Sequence, residues 1–188
     1  MTTLTIPPST KSTPTKAPAP ALEIRPATEA DKHAVVDIIR SSADWYEPFV
    51  EPEDMGEHLV DKRWADENFR RREFFVGRSD GEKVGTLSIQ EVGEDWLYLG
   101  YVYVHTEHVG KRFGGRLLRF AEREARRRGR RGMVLIAHPE AKWACRAYEK
   151  FGFDCIGEDR HEVLEWESGW LKPYYEEGFQ LFRYELDN

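Results

Sequence analysis

The chain has 188 residues, of which 40% are hydrophobic, and a formal net charge of −6 at pH 7. That length suits one domain with one core plus a tail, and no apolar run approaches the roughly 20 residues that a membrane span needs. The N-terminus lacks the charged-then-apolar pattern of a secretory signal, so we expect a cytoplasmic protein that does not bind membranes.

The first 21 residues are mostly Thr, Pro, Ser, Lys and Ala. Such a composition buries too little apolar surface to offset the entropy of ordering it, which predicts a disordered tail over residues 1–21. Residues 22–188 are then expected to form a single domain.

The first elements of that domain are a strand and two helices. Leu22–Arg25 alternates in polarity, which predicts a strand. Thr28 is an N-cap candidate, with Asp31 at the third helical position, for a helix ending near Ser42. An acidic and aromatic loop follows, and a second helix is expected over roughly 54–70.

Three strands come next. Residues 74–77 and 84–89 flank the turn sequence Ser79-Asp80-Gly81-Glu82, which predicts a hairpin. Residues 96–104 are rich in β-branched and aromatic residues and predict the following strand.

This last strand runs into a glycine-containing turn and a helix. Gly110, Gly114 and Gly115 allow backbone N–H groups to approach a ligand closely. The first N–H groups of a helix have no intrahelical partner, so the start of this helix is a natural anion site. Lys111, Arg112 and Arg116 would add positive charge beside it.

The remaining pattern alternates between sheet and helix. We predict strands at 133–137, 153–157 and 179–186, a helix over 141–151, and an acidic, aromatic insertion at about 158–178. The element order is therefore β-α-α-β-β-β-α-β-α-β-β, an α/β (or α+β) mixed sheet with helices on its faces.

The two cysteines predict neither a disulfide nor a metal site. Cys145 and Cys155 form no CxxC or Cys/His ligand set. We expect both to be reduced and buried, and no metal cofactor.

Two motifs one strand apart resemble the GCN5-related N-acetyltransferases (GNAT). The strand and turn match that family at Val104, Glu107, Gly110, Gly114, Leu117 and Leu118, and the later helix matches at Ala144, Tyr148, Gly152 and Phe153. The sequence departs from the family at Thr106 (usually Pro), Val109 (Arg or Gln), Arg112 (Gly) and Ala141 (Asn).

The resemblance implies a mostly antiparallel sheet of about seven strands, with acetyl-CoA as cosubstrate and an amine as acceptor. It also implies a cofactor site, formed by Val102, Tyr103, Val104, Val109, Gly110, Lys111, Arg112, Phe113, Gly114, Gly115, Arg116 and Ala144. Tyr148 matches the family's tyrosine near the cofactor sulfur, where it would protonate the leaving thiolate.

The general base is open at this stage. His105, which ends the strand before the turn, is the nearest titratable candidate and has a suitable ordinary pKa. Glu91 and Tyr103 are the reserve candidates.

The charge of two loops indicates the chemical class of the acceptor. The loops 44–57 and 158–177 are acidic and aromatic, and they would attract a cationic amine. We expect a cationic small molecule or peptide amine, with an acceptor site that is formed by Trp45, Tyr46, Glu47, Glu91, Trp166 and Trp170.

Two rival interpretations remain. Ten Lys or Arg and two Glu lie between Lys111 and Arg131, a local balance of +8 that leaves −14 for the rest of the chain. A nucleic-acid binder would use this basic helix, but the remaining negative charge makes that role the less expected one. The departures from the motif also suit a degenerate acyl-CoA sensor. The chain could act as a monomer or as a homodimer.

Overall fold

The computed structural model describes residues 20–187, so the predicted tail lies almost entirely outside the described residues. These residues form one seven-stranded mixed sheet in the order β1-β2-β3-β4-β5-β7-β6, which confirms the predicted fold class. The strands are β1 (Glu23–Pro26), β2 (Glu73–Ser79), β3 (Glu82–Val92), β4 (Trp96–Val104), β5 (Gly132–Ala137), β6 (Asp154–Gly157) and β7 (Gln180–Glu185).

Helices cover both faces of the sheet. They are α1 (Lys32–Arg40), α2 (Ala43–Tyr46), α3 (Lys62–Asn68), α4 (Phe113–Arg127), α5 (Lys142–Phe151) and α6 (Arg160–Glu165). Because side chains alternate along a strand, β2 directs Phe75 towards the α4 side and Phe74 and Val76 towards α1 and α3. Val163 of α6 and Leu171, which follows that helix, are buried against β4 and β5.

The predicted start of α1 is confirmed and rests on Asp31. Thr28 and Asp31 form a capping box before the helix, and the Asp31 carboxylate accepts from the Thr28 backbone N–H at 2.7 Å. Asp31 is almost fully buried, and it also contacts Arg25 at 2.8 Å and Lys83 at 2.7 Å. These contacts join α1 to β1 and β3, and they hold the pKa of the carboxyl well below its usual range.

The second helix is shorter than predicted. Residues Met55–Glu57 form only a 3₁₀ turn, and α3 begins after Asp61, whose side chain accepts from the Trp64 backbone N–H at 2.8 Å. The acidic residues Glu53 and Asp54 resemble a helix start, but His58, which follows them, is buried in the interior. The stretch before α3 thereby becomes a wall of the site.

The β4–β5 pair is the feature that positions the site. It is the one parallel pair in the described sheet, and its register runs only from Trp96–Gly132 to Tyr98–Val134. Beyond Tyr98 the two strands separate. The carboxyl-terminal half of β4 therefore keeps one side open.

Of the two cysteines, both are free as predicted, but only Cys145 is buried, whereas Cys155 is exposed. β6 exposes two of its four residues, Asp154 and Cys155, whereas Cys145 lies on the buried side of α5. Within residues 20–187, no helix is long and apolar enough to cross a membrane, and no group of His, Cys, Asp or Glu has a metal-binding arrangement.

Candidate active site

A cleft of about 350 Å³ opens where β4 and β5 separate. One wall is β4 from Tyr98 to Tyr103, and the opposite wall comes from the end of β5 and from α5. The segments 53–58 and 173–176 and the end of α3 close it on the α1–α3 face. The cleft thus joins the strand separation to residues far apart in sequence.

A bulge in β4 lies inside the cleft. Thr86 of β3 pairs with Tyr103 and Ser88 pairs with Gly100, so Leu87 alone opposes Tyr101 and Val102. Tyr101 has φ +50°, a left-handed conformation that costs a non-glycine residue about 1–2 kcal/mol. A bulge interrupts the hydrogen-bond ladder, which leaves backbone groups of β4 available to a ligand.

Buried contacts hold Tyr101 in this conformation. Its hydroxyl donates to Glu57, which also accepts from the Trp64 indole N–H at 3.1 Å. The Tyr101 ring packs edge-on against Trp64, with centroids 4.8 Å apart. α3 and the preceding 3₁₀ turn therefore stabilise the strained strand.

A second set of contacts joins Tyr103, His58 and Glu176. The Tyr103 hydroxyl lies 3.2 Å from His58 Nδ1, and His58 Nε2 lies 2.9 Å from Glu176 Oε2. His58 is 2% exposed and stacks on the Tyr46 ring at 4.2 Å. Burial raises the pKa of Glu176 above its usual range, while the hydrogen bond from His58 opposes that shift.

One tautomer of His58 suits both contacts. When Nε2–H donates to the Glu176 carboxylate, the lone pair is on Nδ1, towards the Tyr103 hydroxyl. Burial raises the pKa of Tyr103 well above its ordinary value, which keeps the phenol protonated. Tyr103 therefore donates to His58 and presents its oxygen as an acceptor.

Tyr148 lies on the opposite wall of the cleft, on α5. Its ring packs against Phe153 and Phe182, with centroids 5.8 Å and 6.2 Å away. Burial raises the pKa of its phenol. Tyr148 is thus a protonated donor that faces the separated part of β4.

The glycine turn follows directly from β4. Gly110 has φ +87°, and Arg112, the N-cap of α4, has φ +65°. The position of Arg112 thus needs the left-handed conformation that glycine adopts without strain. Apart from the chain neighbours and the backbone of α4 itself, no atom lies within 4 Å of where a Cβ would stand on Gly114 or Gly115. No other part of the described chain therefore crowds these two positions in the first turn of α4, where an anion could bind.

The other predicted cofactor residues have mixed surroundings. Val102, Tyr103 and Ala144 line the cleft, whereas Phe113 is buried in the core and Val104 packs against that core. Around the turn, Val109 is exposed, the Lys111 ammonium lies 3.1 Å from His108 Nδ1, and Arg116 donates to the Pro20 carbonyl.

Of the predicted acceptor residues, Tyr46 lines the cleft and the others do not. Trp45 packs edge-on against Trp143 at the surface, and Glu47 is exposed. Trp166 contacts Trp96, while Trp170 packs behind the cleft against Tyr98.

Two of the three candidate bases, Glu91 and His105, lie outside the cleft lining. Glu91 pairs with Arg128 and Arg130 near the distal end of β3, because it opposes the start of β4 and not the bulge. His105 accepts from the Glu107 backbone N–H at 3.3 Å and caps a 3₁₀ turn outside the cleft lining.

The basic segment is largely neutralised within the protein. Arg126, Arg127 and Arg128 pair with glutamates of α4, and Arg128 also reaches Glu73 and Glu91. This pairing weakens the argument for a nucleic-acid surface, because phosphate contacts would have to compete with carboxylates.

Sequence reasoning missed His58, Glu57, Glu176 and Arg72, which all line the cleft. The signals were faint: a histidine directly after an acidic loop, and three arginines, 70–72, directly before a buried strand. Five carboxylates line the cleft, Glu53, Asp54, Glu57, Glu67 and Glu176, together with Arg71 and Arg72. The charge predicted from the loops 44–57 and 158–177 leaves out these two arginines, which lie outside both loops.

The sequence profile of the Acetyltransferase (GNAT) family matches residues 36–153. The chain belongs to the GNAT acetyltransferase family. Like its relatives, this GNAT protein is an acyltransferase.

Individual proteins are similar to this GNAT protein in sequence or in fold. It is 30% identical over 96 residues to acetyltransferase Atu2258 of Agrobacterium fabrum, over 50% of this chain and 67% of that protein. It also has the fold of PaiA N-acetyltransferase from Thermoplasma acidophilum, solved with coenzyme A, at TM-score 0.71 and 17% identity, over 88% and 99% of the two chains. YncA from Salmonella typhimurium, solved with acetyl-CoA, matches at TM-score 0.64 and 22% identity, over 89% and 95%.

Proposed function

We propose that this protein transfers the acetyl group of acetyl-CoA directly to a primary amine, which reaches the cleft as an ammonium cation. The observation that carries the proposal is the cleft between β4 and β5, where Tyr103 with its His58–Glu176 pair faces Tyr148. One side offers a route for removing a proton and the other a route for supplying one.

Two features of the chain would bind acetyl-CoA. The open N-terminus of α4 at Gly114 and Gly115 would bind the pyrophosphate, and the exposed edge of β4 at Val102 and Tyr103 would bind the pantetheine arm. Structural neighbours that contain coenzyme A or acetyl-CoA support this assignment. When bound, the cosubstrate supplies the acyl group as a thioester.

The bulge at Tyr101 would stabilise the charge that develops on the acyl oxygen. The register of β3 and β4 is interrupted at Tyr101 and Val102, so backbone N–H groups there would be donors in fixed positions. The Glu57 and Trp64 contacts hold these donors in place before the acceptor arrives. Preorganised donors of this kind need no rearrangement during the reaction.

Tyr103 and His58 would activate the amine. An ammonium acceptor gives one proton to the Tyr103 oxygen while Tyr103 passes its own proton to His58 Nδ1. Glu176 then stabilises the imidazolium, and the neutral amine nitrogen bonds to the acyl carbon. This residue set replaces His105, which lies outside the cleft lining.

Tyr148 would complete the transfer. As the carbon–sulfur bond breaks, Tyr148 donates its phenolic proton to the sulfur and takes back the proton that the new amide nitrogen loses. The raised pKa of this phenol ensures that the proton is present at neutral pH. Neither cysteine lines the cleft, which agrees with direct transfer to the amine.

The charge of the cleft supports an ammonium acceptor. Five carboxylates line it, and only two arginines accompany them. An excess of negative charge in a recessed site concentrates cations there.

The test is a panel of primary amines and their hydroxyl analogues, incubated with acetyl-CoA and followed by thiol release and by mass spectrometry. We expect an N-acetyl product, carrying one added acetyl group, from amines and none from alcohols. A thermal shift with acetyl-CoA but no turnover on any amine would contradict the proposal and favour the sensor interpretation. The strained Arg112 in the turn is the observation that keeps the sensor as the second candidate.

A further inference from the structure

Arg72 occupies the acceptor part of the cleft. It lies between α3 and β2, and its guanidinium rests against Gly100 of β4. A Cβ on Gly100 would collide with Arg72 Nη1 and would come within 2.9 Å of Ser88 Oγ. The absence of a side chain at Gly100 therefore makes the space that Arg72 fills.

Aromatic rings surround this guanidinium. Its carbon lies 4.7 Å from the ring centroids of both Tyr101 and Tyr174, and 5.9 Å from that of Tyr98. Cation–π contacts of this kind fix a guanidinium without using its hydrogen-bond donors. Burial raises the pKa of Tyr98 to about 12, and the nearby positive charge of Arg72 opposes that shift.

The donors of Arg72 lack the partner that other recessed arginines of this protein have. Within residues 20–187, no carboxylate lies within ion-pair distance of Arg72, and its Nε–H is buried without an acceptor. By contrast, Arg128 is 11% exposed and contacts Glu73, Glu91 and Glu124.

The cleft carboxylates Glu57 and Glu176 accept hydrogen bonds from donors other than Arg72. Glu57 accepts from Tyr101 and Trp64, and Glu176 accepts from His58. Arg72 makes a side-chain hydrogen bond with Tyr98, and its remaining coplanar N–H groups match a carboxylate in a two-point hydrogen bond. Leaving a buried donor unsatisfied carries a cost that such a ligand would remove.

We propose that Arg72 binds a carboxylate of the acceptor, so that the substrate is an amine that also bears a carboxylate. This inference rests on the proposed acetyl transfer, and it deepens it: the cleft's acidic groups attract the ammonium end, and Arg72 selects the anionic end. Gly100 and Tyr103 are three residues apart on β4, a span of at most roughly 10 Å, because the bulge between them shortens the strand. Amino acids with different spacings between the two groups therefore form the natural panel.

The experiment compares matched trios: an amino acid, its uncharged amide and the amine without the carboxyl group, with one to six carbons between amine and carboxylate. Wild type is expected to show kcat/KM roughly 10- to 100-fold higher for the best amino acid than for its two analogues, mainly through KM. In Arg72→Ala this preference is expected to vanish. In Arg72→Lys, which keeps the charge but loses the planar fork, part of it is expected to remain.

Arg70→Ala is the matched control, because Arg70 is exposed, lies two residues away and is not part of the cleft lining. It should keep the full preference. Because each ratio compares substrates within one variant, a folding defect lowers both activities and does not imitate the loss. Equal rates on all three members of a trio in wild type, or an unchanged preference in Arg72→Ala, would overturn the inference.

Binding separates this inference from the proposed function. Calorimetric titration of the same trios in the presence of coenzyme A needs no turnover. If no amine is acetylated but amino acids bind through Arg72, acetyl transfer fails and the Arg72 site stands. If amines are acetylated and the carboxylate gives no advantage in rate or binding, the Arg72 site fails and acetyl transfer stands.

Discussion

The glycine turn and the acceptor cleft are specified in different ways. The turn is local: the conformations of Gly110 and Arg112 and the open start of α4 arise from consecutive residues. The cleft is assembled from the loop before α3, the bulge of β4 and the segment 173–176, which meet only in the folded chain. Binding of the cofactor pyrophosphate should therefore tolerate changes at His58 and Arg72, and acceptor chemistry should tolerate changes in the turn.

The largest effect is expected from a substitution in the cleft that leaves the glycine turn unchanged. His58→Gln keeps a polar side chain but removes the group that takes the proton, so kcat should fall by about 10²- to 10⁴-fold. The KM for acetyl-CoA should not change. Steady-state kinetics with His105→Gln as the control checks this, because His105 lies outside the cleft lining and its variant should keep near wild-type kcat. A similar loss in both variants would contradict the assignment.

The next effect concerns the framework that both regions share. Asp31→Asn leaves Arg25 and Lys83 without their buried carboxylate, which should cost about 3 kcal/mol of unfolding free energy at pH 7. Because the carboxyl pKa is depressed in the folded state, this contribution is present above the ordinary carboxyl pKa and is lost as pH falls below it. Urea denaturation at several pH values should show the two proteins converging in acid.

Asp37→Asn is the control for that experiment. Asp37 pairs with His33 at the surface and is 54% exposed, so the change should cost less than about 1 kcal/mol. A difference between wild type and Asp31→Asn that stays constant down to acid pH would show that the carboxylate charge is not responsible.

A smaller effect is expected on the other wall of the cleft. Tyr148→Phe keeps the ring packed against Phe153 and Phe182 but removes the phenolic proton, so kcat should fall by roughly 10- to 100-fold. Melting temperature should stay close to wild type, which separates chemistry from packing. Acyl donors with better thiol leaving groups, such as acetyl aryl thioesters, should recover part of the rate. No recovery would remove Tyr148 from the acid role.

The smallest effect tests the turn. Arg112→Gly relieves a left-handed arginine and should raise the unfolding free energy by up to about 1 kcal/mol. Arg119→Gly makes the same substitution within regular α4 and should lower stability by about 1 kcal/mol. Opposite signs in chemical denaturation confirm the backbone argument, whereas a loss in both would contradict it. Amine specificity should be the same in both variants.

Sequence predicts well whatever depends on local pattern. The bounds of β4, the capping box at Thr28 and the glycine turn before α4 all follow from neighbouring residues. The sequence predicts too long a second helix, because the acidic residues at 53–54 resemble a helix start, whereas the N-cap of α3 is Asp61. The pattern held no information on the long-range bonds of His58.

The acceptor site could not be predicted from the sequence, because it also depends on contacts between residues far apart in the chain. Tyr103 and Glu176 contact His58 across 45 and 118 residues, and no periodicity records such pairs. Arg72 looked like one charge in a run of three, and only the separation at Gly100 explains its position. Charge counting over loops gave the sign of the cleft but omitted the arginines within it.

The most direct measurement is a crystal structure with a bisubstrate analogue, in which a carboxylate-bearing amine is joined through an acetyl link to the sulfur of coenzyme A. The account predicts that the linking nitrogen lies at hydrogen-bond distance from the Tyr103 hydroxyl, the sulfur faces Tyr148, and the carboxylate contacts Arg72. An amine portion that leaves the β4–β5 opening towards His105, with His58 and Arg72 untouched, would contradict it.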